Sequence, residues 1–366
     1  MLKIFISPHR PNIRISVTKV KKDDMHKQID WLVEEVKEKG DTTPKTIIFC
    51  NTLKDIATVV NLLFFKLGKH ATVPVGSSDY ENFIIGIFHS VSWPKMKEKL
   101  LADFRKQSKK RIIVASTALS MGVNFGDVRY IINWGPARNL LDQLQEAGRA
   151  GRDGIRSHLI ITYYGQQLSH CEDEVKDFVK CEGCYRVALY KNFDSKIQPV
   201  TPGHDCCSYC ATKCCNESCT ELVQFENQSP LPASLPALTR PVSDEDKADI
   251  RAAFTELVQV KDDNAFGAAS QHAFSQELVR DIEENCYRLF TVKDVFECLP
   301  VYSLNHCMKI LEIVQETFGD LPHLDNTHRL VISEIPDFFD LLPWEPEYFE
   351  RYFDEADVDL EELDIL

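Results

Sequence analysis

"FRKQSKKRIIVASTALSMGVNFGDVRYIINWGPARNLLDQLQEAGRAGRDG", residues 104–154, sets two compact apolar runs, "RIIVAS" (111–116) and "RYIINW" (129–134), ahead of a stretch with helical spacing, "NLLDQLQEAGRAGR" (139–152). A strand-length run that stays apolar throughout suits a strand buried on both faces; a strand with one wet face would alternate. Three more such runs lie outside this stretch: "KTIIFC" (45–50), "FIIGIF" (83–88) and "HLIITYY" (158–164). Between them "TLKDIATVVNLLFFKLG" (52–68) and "PKMKEKLLADFRK" (94–106) have helical spacing. The alternation predicts an α/β domain over residues 1–165 built on a mostly parallel sheet.

The stretch ends in "QEAGRAGRDG" (145–154), with glycines at 148, 151 and 154 around Arg149 and Arg152. Glycine lets the backbone bend closely around a ligand, and arginine offers the forked donors that suit a phosphate. A helix end with two solvated arginines is the plainer reading. The position at the edge of an α/β sheet, where anionic ligands bind, favours the phosphate.

Charge divides the chain. Residues 1–165 hold 26 Lys and Arg against 16 Asp and Glu, a charge of +10, while the remainder holds 16 against 40, a charge of −24. The basic part suits a polyanion and the acidic part repels one. No apolar run approaches the roughly 20 residues of a membrane span, so no membrane partner is expected. Thirteen cysteines without an export signal point to metal binding in a reducing compartment, because nine of them crowd between Cys171 and Cys219. Residues 166–220 form this cysteine-rich unit and open on a helical run, "EDEVKDFVKCEGCYRVALYKNF" (172–193). A Pro- and Ser-rich linker is expected over 221–246, a mostly α-helical region over 247–340 and an acidic tail over 341–366.

On these residues the chain resembles the RecQ-like helicases of superfamily 2. The 104–154 stretch is similar to helicase motifs V and VI, "TIIFCNT" (46–52) to motif IV, "GIFHS" (86–90) to the strand and turn that follow, and "SPHRPNIRISV" (7–17) to the segment entering the second RecA-like domain. The resemblance covers about residues 4 to 215 and is most specific at motif VI. It implies a second RecA-like domain and a zinc-binding subdomain from an ATP-dependent 3′–5′ DNA helicase of recombination and repair, with the nucleus as the expected location and the cytoplasm as a second. Arg149 and Arg152 would then be arginine fingers on the γ-phosphate of ATP, with Gln145 orienting them and Gly122 and Asn124 on the nucleotide side. Asn51, Thr52, His89, Ser90 and Ser116 would lie near the backbone of single-stranded, forked or junction DNA. The chain departs from the family pattern at Ser120, where glycine is usual, and at Asn124, where aspartate is common.

Cys207 and Cys210 form a CxxC pair that suits one edge of a tetrahedral zinc site. The resemblance adds Cys184 as the first ligand. His204, which keeps two-residue gaps, is preferred as the fourth over Cys206, which is adjacent to Cys207; Cys214, Cys215 and Cys219 are read as spare thiols. No G-x-x-x-x-G-K-[ST] string occurs in the 366 residues, and the "DEAD" at 354–357 follows no strand and is read as chance. The chain is therefore expected to correspond to a C-terminal portion. It would use ATP and Mg²⁺ only together with a first RecA-like domain, and would meet protein partners through the helical region and tail.

Overall fold

The computed structural model describes residues 7–77, 80–89, 94–105, 108–120, 125–214, 238–260, 276–299, 301 and 304–321. They fall into two compact units, one of residues 1–56 and 83–228 and the other of 57–82 and 229–366.

The first unit holds one parallel sheet of β1 (Ile13–Lys19), β2 (Lys45–Cys50), β3 (Ile85–Phe88), β4 (Ile112–Ala115), β5 (Val128–Trp134) and β6 (Ser157–Tyr163), in the order β1-β6-β5-β2-β4-β3. Five of these fall on the predicted runs, and β2 and β4 are buried along their whole length. The sixth, β1, falls in what the sequence presents as a connecting segment. It lies beside β6 in register from Ile13 opposite Ser157 to Lys19 opposite Tyr163. Ile13, Ile15 and Val17 alternate into the core, and Arg14 and Ser16 between them are buried as well. Burial of Arg14 is offset by donation to Ser16 Oγ at 2.5 Å and to the His204 carbonyl at 2.6 Å.

Helices α1 (Asp30–Lys39), the first turn of α2 (Leu53–Leu67), α3 (Pro94–Arg105) and α4 (Leu140–Ala147) complete this α/β layer. Asn139 caps α4 by accepting from the Asp142 amide at 2.8 Å. The helix stops at Ala147, before Gly148, short of the predicted end at 152. The run predicted as one helix over 172–193 is two, α5 (Asp173–Val179) and α6 (Tyr185–Tyr190), followed by α7 (Gly203–Cys206) and α8 (Ser208–Thr212). Val175, Phe178, Leu189, Tyr190 and Cys206 join the same apolar cluster as Ile15, Leu159 and Ile161. The cysteine-rich segment therefore shares its core with the sheet instead of forming a separate one.

The second unit holds the remainder of α2 with α9 (Asp244–Val260), α10 (Gln276–Asn285), α11 (Val292–Cys298) and α12 (Leu304–Phe318). Phe254, Ile282, Leu289, Val295, Ile310 and Val314 are its core, and Phe65 of α2 packs against them. Asn61 of α2 donates to the Val301 carbonyl at 2.5 Å. The helical region thus packs on a helix that the sequence assigns to residues 1–165, because α2 is apolar around most of its circumference. Arg240, inside the predicted linker, stacks on Phe290 and Phe318 at 4.0 and 4.5 Å and pairs with Asp320 at 3.1 Å. The chain is already anchored there, and α9 begins at Asp244. The acidic tail and its "DEAD" string lie outside the described residues.

Candidate functional site

The loop 148–156 carries Arg149 and Arg152 from α4 into β6. Gly151 donates its amide to the Val128 carbonyl at 2.9 Å, Asp153 to Gly126 at 3.2 Å, and Ser157 to Asn12 at 2.9 Å. Val128 opens β5, Ser157 opens β6 and Asn12 precedes β1. The loop therefore lies at the amino ends of these strands and not at the carboxyl-end crevice expected from the sheet rule. The reason is the crossover: α4 starts beyond the carboxyl end of β5 and must run back along the sheet before β6 can lie parallel to it.

Gly151 has φ of +55°, and a Cβ there would sit 2.5 Å from Asn12 Nδ2 and 2.9 Å from the Ile155 carbonyl. Only glycine meets both conditions. The close approach lets the Asn12 amide donate to Gly151 O at 2.7 Å and to Ile155 O at 3.0 Å. Arg10 Nη2 donates to the carbonyls of Gly151 at 2.5 Å and Ala150 at 3.3 Å. Arg129 closes the far side with a forked contact to Asp153 at 3.1 and 2.5 Å, which holds that carboxyl below its usual range. The loop is braced from three sides.

Arg149 is buried, and Arg152, more open, donates from Nε to the Gly148 carbonyl at 3.1 Å. Burial lowers the pKa of both. The charge of Arg152 lowers Arg149 further, and that of Arg10 lowers Arg152. Three guanidinium groups thus crowd one corner of the sheet, and this is the electrostatic condition for holding a polyphosphate. Gln145, expected to orient them, is only half-buried. The buried polar residues of α4 are its neighbours. Gln143 Nε2 donates to Asn133 Oδ1 at 2.9 Å, Asn133 Nδ2 to Glu146 at 2.5 Å, and the Ala137 amide to Gln143 at 3.1 Å. The sequence signal for this network was Asn133, a lone amide late in an apolar strand.

The candidate nucleic-acid residues occupy the opposite edge. Asn51 and Thr52 follow β2, Ser116 follows β4 and His89 follows β3, and these three strands are neighbours. The structure thereby brings the four into one row at the carboxyl ends. Asn51 donates to the Pro136 carbonyl at 2.8 Å, tying this row to the turn before α4. Thr52 exchanges bonds with Asp55, its hydroxyl accepting from the Asp55 amide at 3.0 Å, and so starts α2. The Ser116 hydroxyl is buried without a hydrogen-bond partner among the described residues. Burial, with the charge of Lys97 second, holds His89 down at about 4, so its ring is neutral at pH 7. Ser90, Gly122 and Asn124 lie outside the described residues.

The sulfurs of Cys184, Cys206, Cys207 and Cys210 all lie within 4.8 Å of one another. This corrects the expected fourth ligand: His204 is outside the group, and its carbonyl accepts from Arg14 at 2.6 Å. Adjacent cysteines converge because α7 ends at Cys206 and the chain turns extended at Cys207, with φ −163° and ψ 168°, before α8 begins. Gly203 permits the fold-back, since a Cβ there would lie 2.6 Å from the Cys210 carbonyl. Cys184 Sγ is 3.6 Å from that of Cys206 and 4.0 Å from that of Cys207. These separations match the edge of about 3.8 Å expected for thiolates bound tetrahedrally at 2.3 Å, so the donor set fits zinc. Hydrogen bonds from Cys184 and Cys206 hold Cys207 well below the usual thiol range, while Cys184 is pushed up, and burial followed by Cys207 raises Cys210 to about 12. Metal binding would displace the remaining protons.

Residues 27–154 match the family model described as helicase conserved C-terminal domain. The chain is 30% identical over 224 residues to ATP-dependent helicase wrn-1 of Caenorhabditis elegans, covering 55% of this chain and 19% of that protein. It is 26% identical over 208 residues to the putative ATP-dependent RNA helicase R290 of Acanthamoeba polyphaga mimivirus, covering 50% and 38%. It is 24% identical over 217 residues to ATP-dependent DNA helicase RecQ of Haemophilus influenzae, covering 54% and 31%. The matches span less than two fifths of the length of each relative.

Proposed function

We propose that the chain carries the C-terminal portion of a RecQ-like superfamily 2 helicase, a reading supported by the helicase C-terminal match and the helicase relatives, and that it serves ATP-dependent 3′–5′ unwinding of DNA in recombination and repair. Its RecA-like sheet supplies one wall of the nucleotide cleft, and a first RecA-like domain bearing the P-loop supplies the other. The observation that carries the reading is the arginine corner. Arg149 and Arg152 sit on a loop held by Arg10, Asn12 and Arg129, where a γ-phosphate would be met by preplaced positive charge. The row of Asn51, Thr52, Ser116 and His89 touches the DNA backbone through neutral donors. Zinc, when bound by Cys184, Cys206, Cys207 and Cys210, supplies a structural thiolate centre that fixes α6, α7 and α8 relative to one another.

A second reading is a DNA-binding or regulatory module without ATP turnover. The sequence observation behind it is that no P-loop string occurs in these 366 residues. One experiment separates the two. Joined to a RecQ-type first RecA-like domain, the chain should support DNA-stimulated ATPase. Arg152→Ala should then lower kcat by on the order of a thousandfold with little change in nucleotide affinity. Absence of ATPase in the joined protein, with both parts folded, selects the second reading.

A further inference from the structure

Arg186, on α6 two residues after Cys184, is completely buried, and among the described residues its hydrogen-bond partners include no carboxylate. Its guanidinium donates to the carbonyls of Cys206 at 3.2 Å, Arg10 at 2.9 Å and Ile13, and it pairs with Nε2 of His9 at 3.0 Å. A buried charge held by neutral acceptors is tolerable only while all of them stay in place, since a displaced carbonyl leaves charge uncompensated in a dry site. One planar fork therefore locks two pieces of chain to α6: the carbonyl of a cysteine in the cluster, and the segment from Arg10 to Ile13 that enters β1. The Arg10 side chain in turn holds the carbonyls of Ala150 and Gly151, between the two arginines of the loop. A continuous series of contacts thus runs from Cys206 through Arg186 and Arg10 to the loop.

We propose that Arg186 is a positioning residue that transmits the state of the four-cysteine cluster to the arginine loop. Filling the cluster with zinc fixes the Cys206 carbonyl, which seats Arg186. Arg186 seats the Arg10 backbone, and Arg10 holds the loop in the form that meets phosphate. The functional meaning of this chain of contacts rests on the phosphate-finger reading above; the contacts themselves do not. Lysine at position 186 keeps the charge but cannot span the three carbonyls of Arg10, Ile13 and Cys206.

The test is hydrogen–deuterium exchange of the full chain at the amides of Ala150, Gly151, Asp153 and Gly154, with zinc content measured alongside and no nucleotide present. In the wild type, removing zinc with a chelator should raise exchange at these amides about tenfold, the effect of losing one or two net hydrogen bonds. In Arg186→Lys the zinc should remain bound, the loop should already exchange at the raised rate, and chelation should add little. Arg10→Lys, which leaves the cysteine unit untouched, should reproduce the loop effect if Arg186→Lys fails to fold. A wild-type loop that ignores zinc removal, a chain that binds no zinc, or either lysine variant with wild-type loop protection overturns the proposal. Arg152→Ala should keep the zinc-dependent exchange intact. Failure of that variant to lose turnover in the joined protein would therefore count against the phosphate-finger reading alone.

Discussion

Asn133 donates its side-chain amide to Glu146 at 2.5 Å, and both residues are almost completely buried between β5 and α4. Burial, reinforced by the charge of Asp142 and opposed by the bond from Asn133, pushes Glu146 up to about 8. Glu146 is therefore protonated in the folded protein at neutral pH, although the bond donated by Asn133 of β5 favours the charged carboxylate.

The stability consequence has a definite sign. Between the ordinary carboxyl value and about 8 the folded chain holds a proton that the unfolded chain has released. Stability should be full below that window and fall as pH rises through it, by at most about tenfold in the folding constant per pH unit. Urea unfolding of wild type and Glu146→Gln from pH 5 to 9 checks this. The variant should lose the decline, and a parallel decline in both would assign it to another group.

Gly151 and Gly154 both have positive φ, but only Gly151 is crowded; nothing lies within 4 Å of a Cβ built at Gly154. Gly154→Ala should cost about 1 to 2 kcal/mol, the backbone term alone. Gly151→Ala should cost more, because it also pushes apart Asn12 and the Ile155 carbonyl. Thermal and urea denaturation give the comparison, and equal losses would contradict the close packing at Gly151.

The purified chain should hold about one equivalent of zinc, as a closed four-thiolate site requires. Cys206→Ser should release it, and His204→Ala should retain it. Elemental analysis reads both, and metal lost from His204→Ala but kept by Cys206→Ser would restore the histidine as ligand.

His89 stays neutral through the physiological range, so its contribution to DNA binding should not depend on pH between 6 and 8. The ratio of wild-type to His89→Ala affinity for single-stranded DNA, measured by fluorescence anisotropy, should be flat across that interval. Both proteins should weaken steeply with salt, because phosphate contacts dominate. A ratio that grows on acidification would mean that the ring meets DNA as a cation.

Much of the sheet could be read from sequence because β2 and β4 are buried along their whole length and β5 and β6 along most of theirs, which leaves compact, largely apolar runs. β1 was hidden by Arg14 and Ser16, whose burial depends on partners such as the His204 carbonyl 190 residues away. The arginine pair was legible as a local string, but its brace was not. Arg10 and Asn12 reach the loop from about 140 positions upstream, and Arg186 reaches Arg10 from 176 positions away. For the cysteines, spacing favoured His204 because regular two-residue gaps are a helix-like criterion. The extended backbone at Cys207 defeats it by letting neighbouring side chains face one centre. Gln145 stood out by its place in the motif, whereas Gln143 and Glu146 are the residues that face inward.

The row after β2, β4 and β3 and the loop before β6 lie at opposite ends of the strands of one parallel sheet, a seven-residue strand such as β5 being about 20 Å long. On the proposed reading, a polymer at one end and a phosphate at the other would not touch each other. On that reading, mutations in the loops after β2, β3 and β4 would retune the choice of polymer, and changes around Arg10, Asn12 and Arg129 would alter turnover. The sheet thus gives selection two separate dials on one rigid plate.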